Sequence, residues 1–459
     1  MNLVLACILL YILSQLVLAF WFSRRNRNEE DYLLAGRSLG PWLGTFSVFA
    51  TWFGAETCIG AAGEAYQHGL SGVISDPFGY TLGIVITGLF FAATLWKRGL
   101  VTLADLFKQR YGGGVERFAS IIMIPGSVLW AAAQIRAFGQ VLASASELGL
   151  LAAITLAAAV VIAYTAVGGM WADAITDLMQ GIVLILGVLA LFAIFVALGG
   201  VQVLAELPAQ RTDFLHERSI WDTLDTLAIP IFSTIAAQEL ASRVLAMRGA
   251  TLARNATIGA GLMYFAVGSV PVMLGLGAAA FIGEGREPEQ VLALFAQERM
   301  PQPLYILFLG ALVSAILSTL SGALLVAGSL AAHNIYAPLK KNLSDAAKLR
   351  ANRVAVIAFG VIAYCIALSS ESVYELVQEA SGLGSSGVLV MMLFALWGGR
   401  IGGPASGYAA LIAGTGVYLF AKHVLGYEQP YLLSLAAALA SYLGLAVFRR
   451  AGTVAVAAG

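Results

Sequence analysis

Long apolar stretches alternate with short polar segments along the whole chain. Residues 182–198 read IVLILGVLALFAIFVAL, and about 20 apolar residues in a row suffice to cross a bilayer as a helix. The same pattern recurs and predicts thirteen membrane-spanning helices, at 2–22, 41–67, 73–96, 117–146, 150–166, 175–199, 223–247, 255–283, 303–337, 350–370, 380–398, 403–425 and 429–448. We therefore predict an all-α polytopic membrane protein whose residues 1–459 form a single transmembrane domain.

The composition agrees with this prediction and excludes several classes of protein. Hydrophobic residues make up 59% of the chain and charged residues only 11%, whereas soluble domains average roughly 25% charged residues. A formal net charge of zero gives no indication of a nucleic-acid partner. The three cysteines lie inside apolar runs, which argues against a disulfide framework or a zinc site.

The basic residues give the predicted spans an orientation. With the N-terminus outside, twenty Lys and Arg residues, Arg243 among them, fall in cytoplasmic segments, and only five fall outside. No basic residue precedes the first apolar run, and Arg24, Arg25 and Arg27 follow it, so we interpret 2–22 as a retained span and not as a signal peptide. We predict an external N-terminus and a cytoplasmic C-terminus, with the protein embedded in lipid as a monomer or weak homo-oligomer.

Two of the predicted spans contain residues that interrupt helices. Span 41–67 carries Gly54, Glu56, Thr57 and Gly60 near its centre, and span 223–247 carries Pro230, Ser233, Thr234, Gln238 and Glu239. With the leading helix 2–22 set aside, these are the first and sixth spans of two five-helix units. Breaks at corresponding positions of two repeats indicate a solute site at the membrane midplane, although Gly and Pro are also common in membrane helices generally.

Hydroxyl groups in the segment SAILSTLS (314–321) suggest a cation site. Ala315, Ser318 and Thr319 share one helical face at spacings of three and four residues. Two hydroxyls and a carbonyl, opposite a broken helix with free carbonyls, supply the oxygen ligands that sodium prefers. Such hydroxyls also commonly bond the preceding turn of their own helix, so the spacing leaves both interpretations open.

Four of the charged residues within predicted spans are candidates for chemistry, because a charge there is costly and usually faces a cavity or a partner. Arg136 is placed to bind a solute carboxylate bidentately, or to form a structural ion pair with Glu56 or Glu239. Asp177 is predicted near the cytoplasmic end of its span, within reach of water. The other three charged residues and several aromatic and polar side chains form the candidate solute-binding set Trp52, Glu56, Thr57, Phe78, Trp130, Arg136, Gln238 and Glu239.

Four segments carry a resemblance to a known family. They are DYLLAGRSLG (31–40), ATWFGAETCIGAAGEAY (50–66), GGMWADAITDLMQ (168–180) and SAILSTLSGALLVAGSLAAHNIY (314–336). The chain resembles bacterial members of the sodium/solute symporter family over essentially its full length. The resemblance implies two inverted five-helix repeats, 41–199 and 223–398, with two trailing helices in 403–448, and a place in the bacterial inner membrane.

The resemblance also implies a binding site for sodium as the coupling ion. Its ligands are the carbonyls of Ala50, Phe53 and Ala315 and the hydroxyls of Ser318 and Thr319. A second sodium site found in some family members corresponds to Asp177 and Ser321. Gly322 stands where that site has its next hydroxyl, which argues against a second ion in this chain.

The segments GLFFA (88–92), KRGLVTLADLF (97–107) and LWAAA (129–133) are similar to the choline-transporter branch. That branch has a tryptophan where this chain has Ala237. Choline needs an aromatic cage, and Trp52 and Trp130 match cage positions of that branch, so the cage of this chain is incomplete without the third tryptophan. The incomplete cage, together with Arg136, favours a carboxylate or zwitterion such as an amino acid or small organic acid. A choline-like or neutral solute is the alternative.

Two other classes of function receive less support from the residues. A membrane sensor on a transporter scaffold needs an output domain, and only AGTVAVAAG follows Arg450. For an enzyme, the chain shows no pairing of a nucleophile with a base and no cluster of metal ligands. We therefore predict a sodium-coupled symporter that imports its solute by alternating access.

Overall fold

The computed structural model describes residues 3–457, with the exception of 145, 147, 217, 341, 371, 428 and 429. The described chain is helical and contains no named strand. Its first part contains α1 (Leu3–Ser23), α2 (Glu29–Leu34), α3 (Pro41–Trp52), α4 (Ala61–His68), α5 (Tyr80–Ile86), α6 (Ala93–Lys97), α7 (Leu103–Tyr111), α8 (Gly113–Ser144) and α9 (Leu150–Ala197). Its second part contains α10 (Gly200–Ala205), α11 (Ala209–Thr212), α12 (Ile220–Ala236), α13 (Gln238–Leu245), α14 (Ala250–Ile282), α15 (Val291–Arg299), α16 (Gln302–Ser329), α17 (Ala337–Leu339), α18 (Asp345–Ser369), α19 (Val373–Gly382), α20 (Ser385–Leu396), α21 (Pro404–His423) and α22 (Tyr431–Ala457).

Eight helical segments of the described chain are long and apolar enough to cross a membrane, by length and composition. They confirm a polytopic helical membrane protein, while the count of thirteen spans and the inverted repeats stay predictions. Two predicted spans, 150–166 and 175–199, fall on the single helix α9, which ends two residues before the second span does. Gly169 has a φ of +64° inside that helix, a conformation that glycine adopts at little cost, so the chain changes direction there.

The structure interrupts both of the spans that were predicted to be broken. Helix α3 ends at Trp52, and Phe53 leaves the helical region with φ −84° and ψ 80° before a π-helical turn at Glu56–Gly60. Helix α12 ends at Ala236, and Ala237 is extended, with φ −74° and ψ 128°, before α13 begins. Each break frees backbone groups of their helical partners in the middle of the fold.

Helix α16 lies at the centre of the molecule, packed against α8 and α9. Every residue from Ala311 to Ser329 is buried, so this helix is covered on all sides, as its apolar character all around predicts. The hydroxyls of its middle turns therefore face protein groups and not lipid. The break after α3 lies beside these turns.

Cysteine labelling tests the predicted orientation. In a variant that lacks the three native cysteines, Gln210→Cys between two predicted spans should react with an impermeant thiol reagent added outside intact cells. Ala346→Cys should react only after the cells are opened. Both positions are exposed in the structure, so access to the reagent and not burial decides the result. The reverse labelling pattern would contradict the orientation.

Candidate functional site

Oxygen atoms from α3 and α16 converge where α3 ends. The Ser318 hydroxyl donates to the Ala50 carbonyl at 2.9 Å and to the Ala315 carbonyl at 3.0 Å. The Thr319 hydroxyl donates to the same two carbonyls at 3.2 and 3.1 Å. Four of the five predicted sodium ligands therefore lie within hydrogen-bonding distance of one another.

The fifth predicted ligand, Phe53, lies at the edge of this cluster. A Cβ atom placed on the following residue, Gly54, would stand 2.9 Å from Thr319 Oγ1, so the chain beyond Phe53 runs directly past the hydroxyl. All five residues are at most 2% exposed, and the oxygens they offer are uncharged. Unwound backbone carbonyls together with side-chain hydroxyls are the kind of ligands that hold sodium in broken-helix transporters, and these residues fit such an ion.

A small cavity lies beside the two breaks. Its lining includes Trp52, Tyr80, Ser127, Trp130, Thr234, Ala237, Gln238, Glu239 and Ser381, and its volume is about 60 Å³. The rings of Trp52 and Trp130 meet edge to face, with their centroids 5.6 Å apart. Trp52 Nε1 donates to Thr234 Oγ1 at 3.0 Å, which fixes its ring against α12. Tyr80, which the sequence analysis did not single out, adds a third aromatic ring.

Two polar residues at the start of α13 border the same cavity. Glu239 accepts a hydrogen bond from the Ser127 hydroxyl at 2.6 Å and keeps 6% of its surface exposed. Gln238 Oε1 accepts from the backbone amide of Leu103 at 2.5 Å, which ties α13 to the start of α7. Among the described residues that line the cavity, Glu239 alone has an acidic side chain.

Three other predicted solute-binding residues lie behind the cavity or away from it. Glu56 accepts hydrogen bonds from Trp130 Nε1 at 3.3 Å and from Gln134 Nε2 at 2.7 Å, so it supports the wall of the cavity. The hydroxyl of Thr57 donates to Asp76 at 2.7 Å. The ring of Phe78 packs against Phe214 and Phe265, away from the tryptophans.

Arg136 borders a second, larger cavity of about 520 Å³, whose lining also includes Gln140, Glu287, Glu289 and Tyr305. Its Nη1 atom donates to the carbonyl of Ala367 at 3.4 Å. The structure therefore does not bring Arg136 together with the tryptophan pair. Glu56 and Glu239, the two partners proposed for it from the sequence, take hydrogen bonds from other groups.

The residues of the predicted second sodium site are buried around a charged side chain. Asp177 is fully buried, so the expectation that water reaches it is wrong. Arg243, which the charge count placed in a cytoplasmic segment, is also fully buried and pairs with Asp173. Ser321 donates a hydrogen bond to Asp173 and not to Asp177.

Sequence reasoning missed several of the buried polar partners. Asp76 accepts hydrogen bonds from Thr57 and from Tyr264, and Gln134 Oε1 accepts from the Ala55 amide at 3.0 Å. The available signal was a carboxylate or amide inside an apolar run, since such groups are buried only when they are paired. Asp173 and Asp76 both carried that signal.

Two interrupted helices, an oxygen cluster and a cavity beside the breaks are the features of a secondary transporter. Residues 32–413 match the model of the sodium:solute symporter family, and the chain belongs to that family. Its members are symporters, and sodium is their coupling ion.

Relatives within the family carry more than one solute. The high-affinity choline transporter 1 of Drosophila melanogaster is 29% identical over 82% of this chain, which spans 64% of that protein's length. The human high affinity choline transporter 1 is 27% identical over 93% of this chain and 79% of the human protein's length. The sodium/proline symporter of Staphylococcus aureus is 26% identical over 88% of this chain and 84% of its own.

Solved structures show the same fold at low sequence identity. A Na+-coupled sialic acid symporter in a substrate-bound outward-open state superimposes with a TM-score of 0.85 at 19% identity, covering 96% of this chain and 97% of that chain. MhsT in complex with L-phenylalanine gives a TM-score of 0.60 at 13% identity, covering 89% of this chain and 99% of that chain.

Proposed function

We propose that this chain is a sodium-coupled symporter that imports a small cationic solute of the quaternary-ammonium class by alternating access. The observation that carries the proposal is the cavity between the broken helices. It presents the rings of Trp52, Trp130 and Tyr80 and the carboxylate of Glu239, and its described lining contains no Lys or Arg. Aromatic faces with a nearby negative charge bind quaternary ammonium groups, at about 2 kcal/mol for a desolvated cation–π contact.

The small size of the cavity agrees with a small solute. A water molecule needs roughly 10–15 Å³ of such space, so the cavity's volume of about 60 Å³ accommodates on the order of five water-sized groups. A trimethylammonium group with a short polar tail is of this order, whereas a sugar acid is considerably larger. The high-affinity choline transporters among the relatives support the same class of solute.

The proposed sodium site supplies the driving force. The carbonyl of Ala50, which accepts from the hydroxyls of Ser318 and Thr319 on α16, belongs to a residue two positions before Trp52 on α3. The proposed ion and solute sites therefore share the same broken helix. One sodium ion crossing 100 mV releases about 2.3 kcal/mol. A tenfold concentration gradient adds about 1.4 kcal/mol, so a single ion suffices to concentrate a solute several hundredfold.

A carboxylate or zwitterion, the solute that the sequence favoured, becomes the second candidate, and Arg136 is its support. It borders the larger cavity, about 520 Å³, whose lining includes its guanidinium, the amides of Gln140 and Gln290, and the carboxylates of Glu287 and Glu289. A solute carboxylate bound by Arg136 would therefore lie in this second cavity and not between the tryptophans. The two candidates place the solute in different parts of the molecule.

Ligand-induced thermal stabilisation of the purified protein separates the two candidates. We expect choline to raise the midpoint of unfolding more in sodium than in potassium buffer, because a ligand that binds only the folded state stabilises it. Proline and lactate should have no such sodium-dependent effect. Stabilisation by proline or lactate, abolished in Arg136→Lys, with no response to choline, would contradict the cationic solute and support the second candidate.

A further inference from the structure

Arg243 is a fully buried cation in the centre of the fold. It lies on α13, directly after the second helix break, and its Nε atom donates to Thr51 Oγ1 at 2.9 Å. Its Nη2 atom pairs with Asp173 and stands 3.9 Å from Asp177 Oδ2. A guanidinium keeps its charge even when it is buried, so this position carries a permanent positive charge.

The groups that face Arg243 form a set of oxygens suited to a small cation. Asp173 and Asp177 are four residues apart on α9 and therefore share one helical face. Asp173 also accepts a hydrogen bond from the Ser321 hydroxyl, and Asp177 accepts one from Ser47 at 2.7 Å. The second oxygen of Asp177 is buried without a hydrogen-bond partner among the described residues. The guanidinium lies among these oxygens.

Gly322 makes room for the guanidinium. A Cβ atom at this position would lie 2.8 Å from Arg243 Nη2, closer than real Cβ atoms come to another heavy atom. The sequence analysis noted that Gly322 lacks the hydroxyl expected for a second sodium. The structure gives this glycine a different role, because the space beside it holds a side-chain cation.

One bound sodium ion would neutralise the net charge of the cluster around Arg243. Two aspartates against one arginine leave a single negative charge, and burying an uncompensated charge costs several kcal/mol. Ser321 donates to the carbonyl of Ser318 at 3.1 Å, and Thr51 follows Ala50 in the chain, so this cluster adjoins the proposed sodium ligands. A sodium ion held by Ala50 and Ser318 would complete the balance.

We infer that Arg243 is a tethered cation that takes the place of a second sodium ion, so the chain binds one sodium ion per polypeptide. The inference rests on the proposed sodium-coupled function and sets its stoichiometry. Asp173 and Asp177 hold the arginine, and the net negative charge that remains on the three side chains attracts the ion at the first site. The predicted second sodium site of Asp177 and Ser321 does not fit an additional ion while the guanidinium pairs with Asp173, which Ser321 also contacts, and lies 3.9 Å from Asp177.

Equilibrium binding of radioactive sodium to the purified protein tests the inference directly. We expect saturation at one sodium ion per polypeptide. Saturation at two ions would overturn the tethered-cation inference and leave the proposed function intact. An absence of sodium binding would instead contradict the proposed function itself.

A charge-balanced pair of variants tests the role of the arginine. Arg243→Gln leaves two carboxylates without the guanidinium, and we expect it to bind two sodium ions and to need sodium for its stability. Arg243→Gln with Asp173→Asn removes one charge of each sign, and we expect it to return to a single ion. One bound ion in both folded variants would overturn the inference. If Arg243→Gln does not fold, the number of sodium ions bound per wild-type polypeptide decides the test.

Discussion

Replacing Ser318 and Thr319 together by alanine should raise the sodium concentration for half-maximal transport at least about tenfold. The substitutions remove two hydroxyl ligands, each worth about 1–2 kcal/mol to a bound cation. The Ala50 and Ala315 carbonyls, which now accept bonds from these hydroxyls, would remain. The measurement is the sodium dependence of initial uptake rates in proteoliposomes.

Ser329→Ala provides a matched control for this substitution. Ser329 lies on the same helix, is buried, and bonds the carbonyl of Val326 in its own preceding turn, away from the break of α3. Its loss should leave the sodium dependence unchanged. An unchanged sodium dependence in the folded double variant would show that the two hydroxyls only bond their own helix, the alternative that the sequence left open.

Glu239→Gln should weaken the binding of a quaternary-ammonium solute about thirtyfold, equivalent to about 2 kcal/mol. The substitution keeps the shape of the side chain and an oxygen that accepts the Ser127 hydrogen bond, and removes only the negative charge beside the tryptophans. Choline and its uncharged isostere 3,3-dimethylbutanol distinguish charge from shape. The affinity for choline should fall, and the affinity for the isostere should stay constant.

The exposed Glu298 supplies the control for removing one negative charge elsewhere. Glu298→Gln should change the affinity for neither ligand. An equal loss for choline and its isostere in Glu239→Gln would mean that the glutamate shapes the cavity without attracting a cation. That result would leave the aromatic rings as the remaining support for a cationic solute.

The sequence predicted the helical membrane fold and both helix breaks because these follow from local patterns. Apolar runs reveal the spans, and Gly54 and the polar residues around Gln238 mark the places where a continuous helix is interrupted. The spacing of Ala315, Ser318 and Thr319 predicted one side of the oxygen cluster. The approach of Ala50 from a helix more than 260 positions away came from the family resemblance, since no local pattern encodes it.

The sequence analysis misjudged or missed residues whose positions depend on contacts between distant segments. Arg243 looked like a charge at a cytoplasmic helix end, but Asp173 on α9 pairs with it inside the protein. Arg136 looked central because it lies within a helix, whereas the side of α8 that carries it faces the larger cavity. Tyr80 follows an irregular segment of π-helical turns, so helical periodicity gave no indication that it lines the same cavity as the tryptophans.

Uptake of radiolabelled choline into proteoliposomes tests sodium-coupled transport of a cationic solute most directly. With the membrane potential held at zero, an inward sodium gradient should drive transient accumulation above the external concentration. The same gradient of potassium should drive none, and Ser318→Ala with Thr319→Ala should abolish the response at low sodium. Equal uptake in sodium and potassium, or no uptake at all by protein that binds choline, would contradict the account, and the second result would favour a membrane sensor.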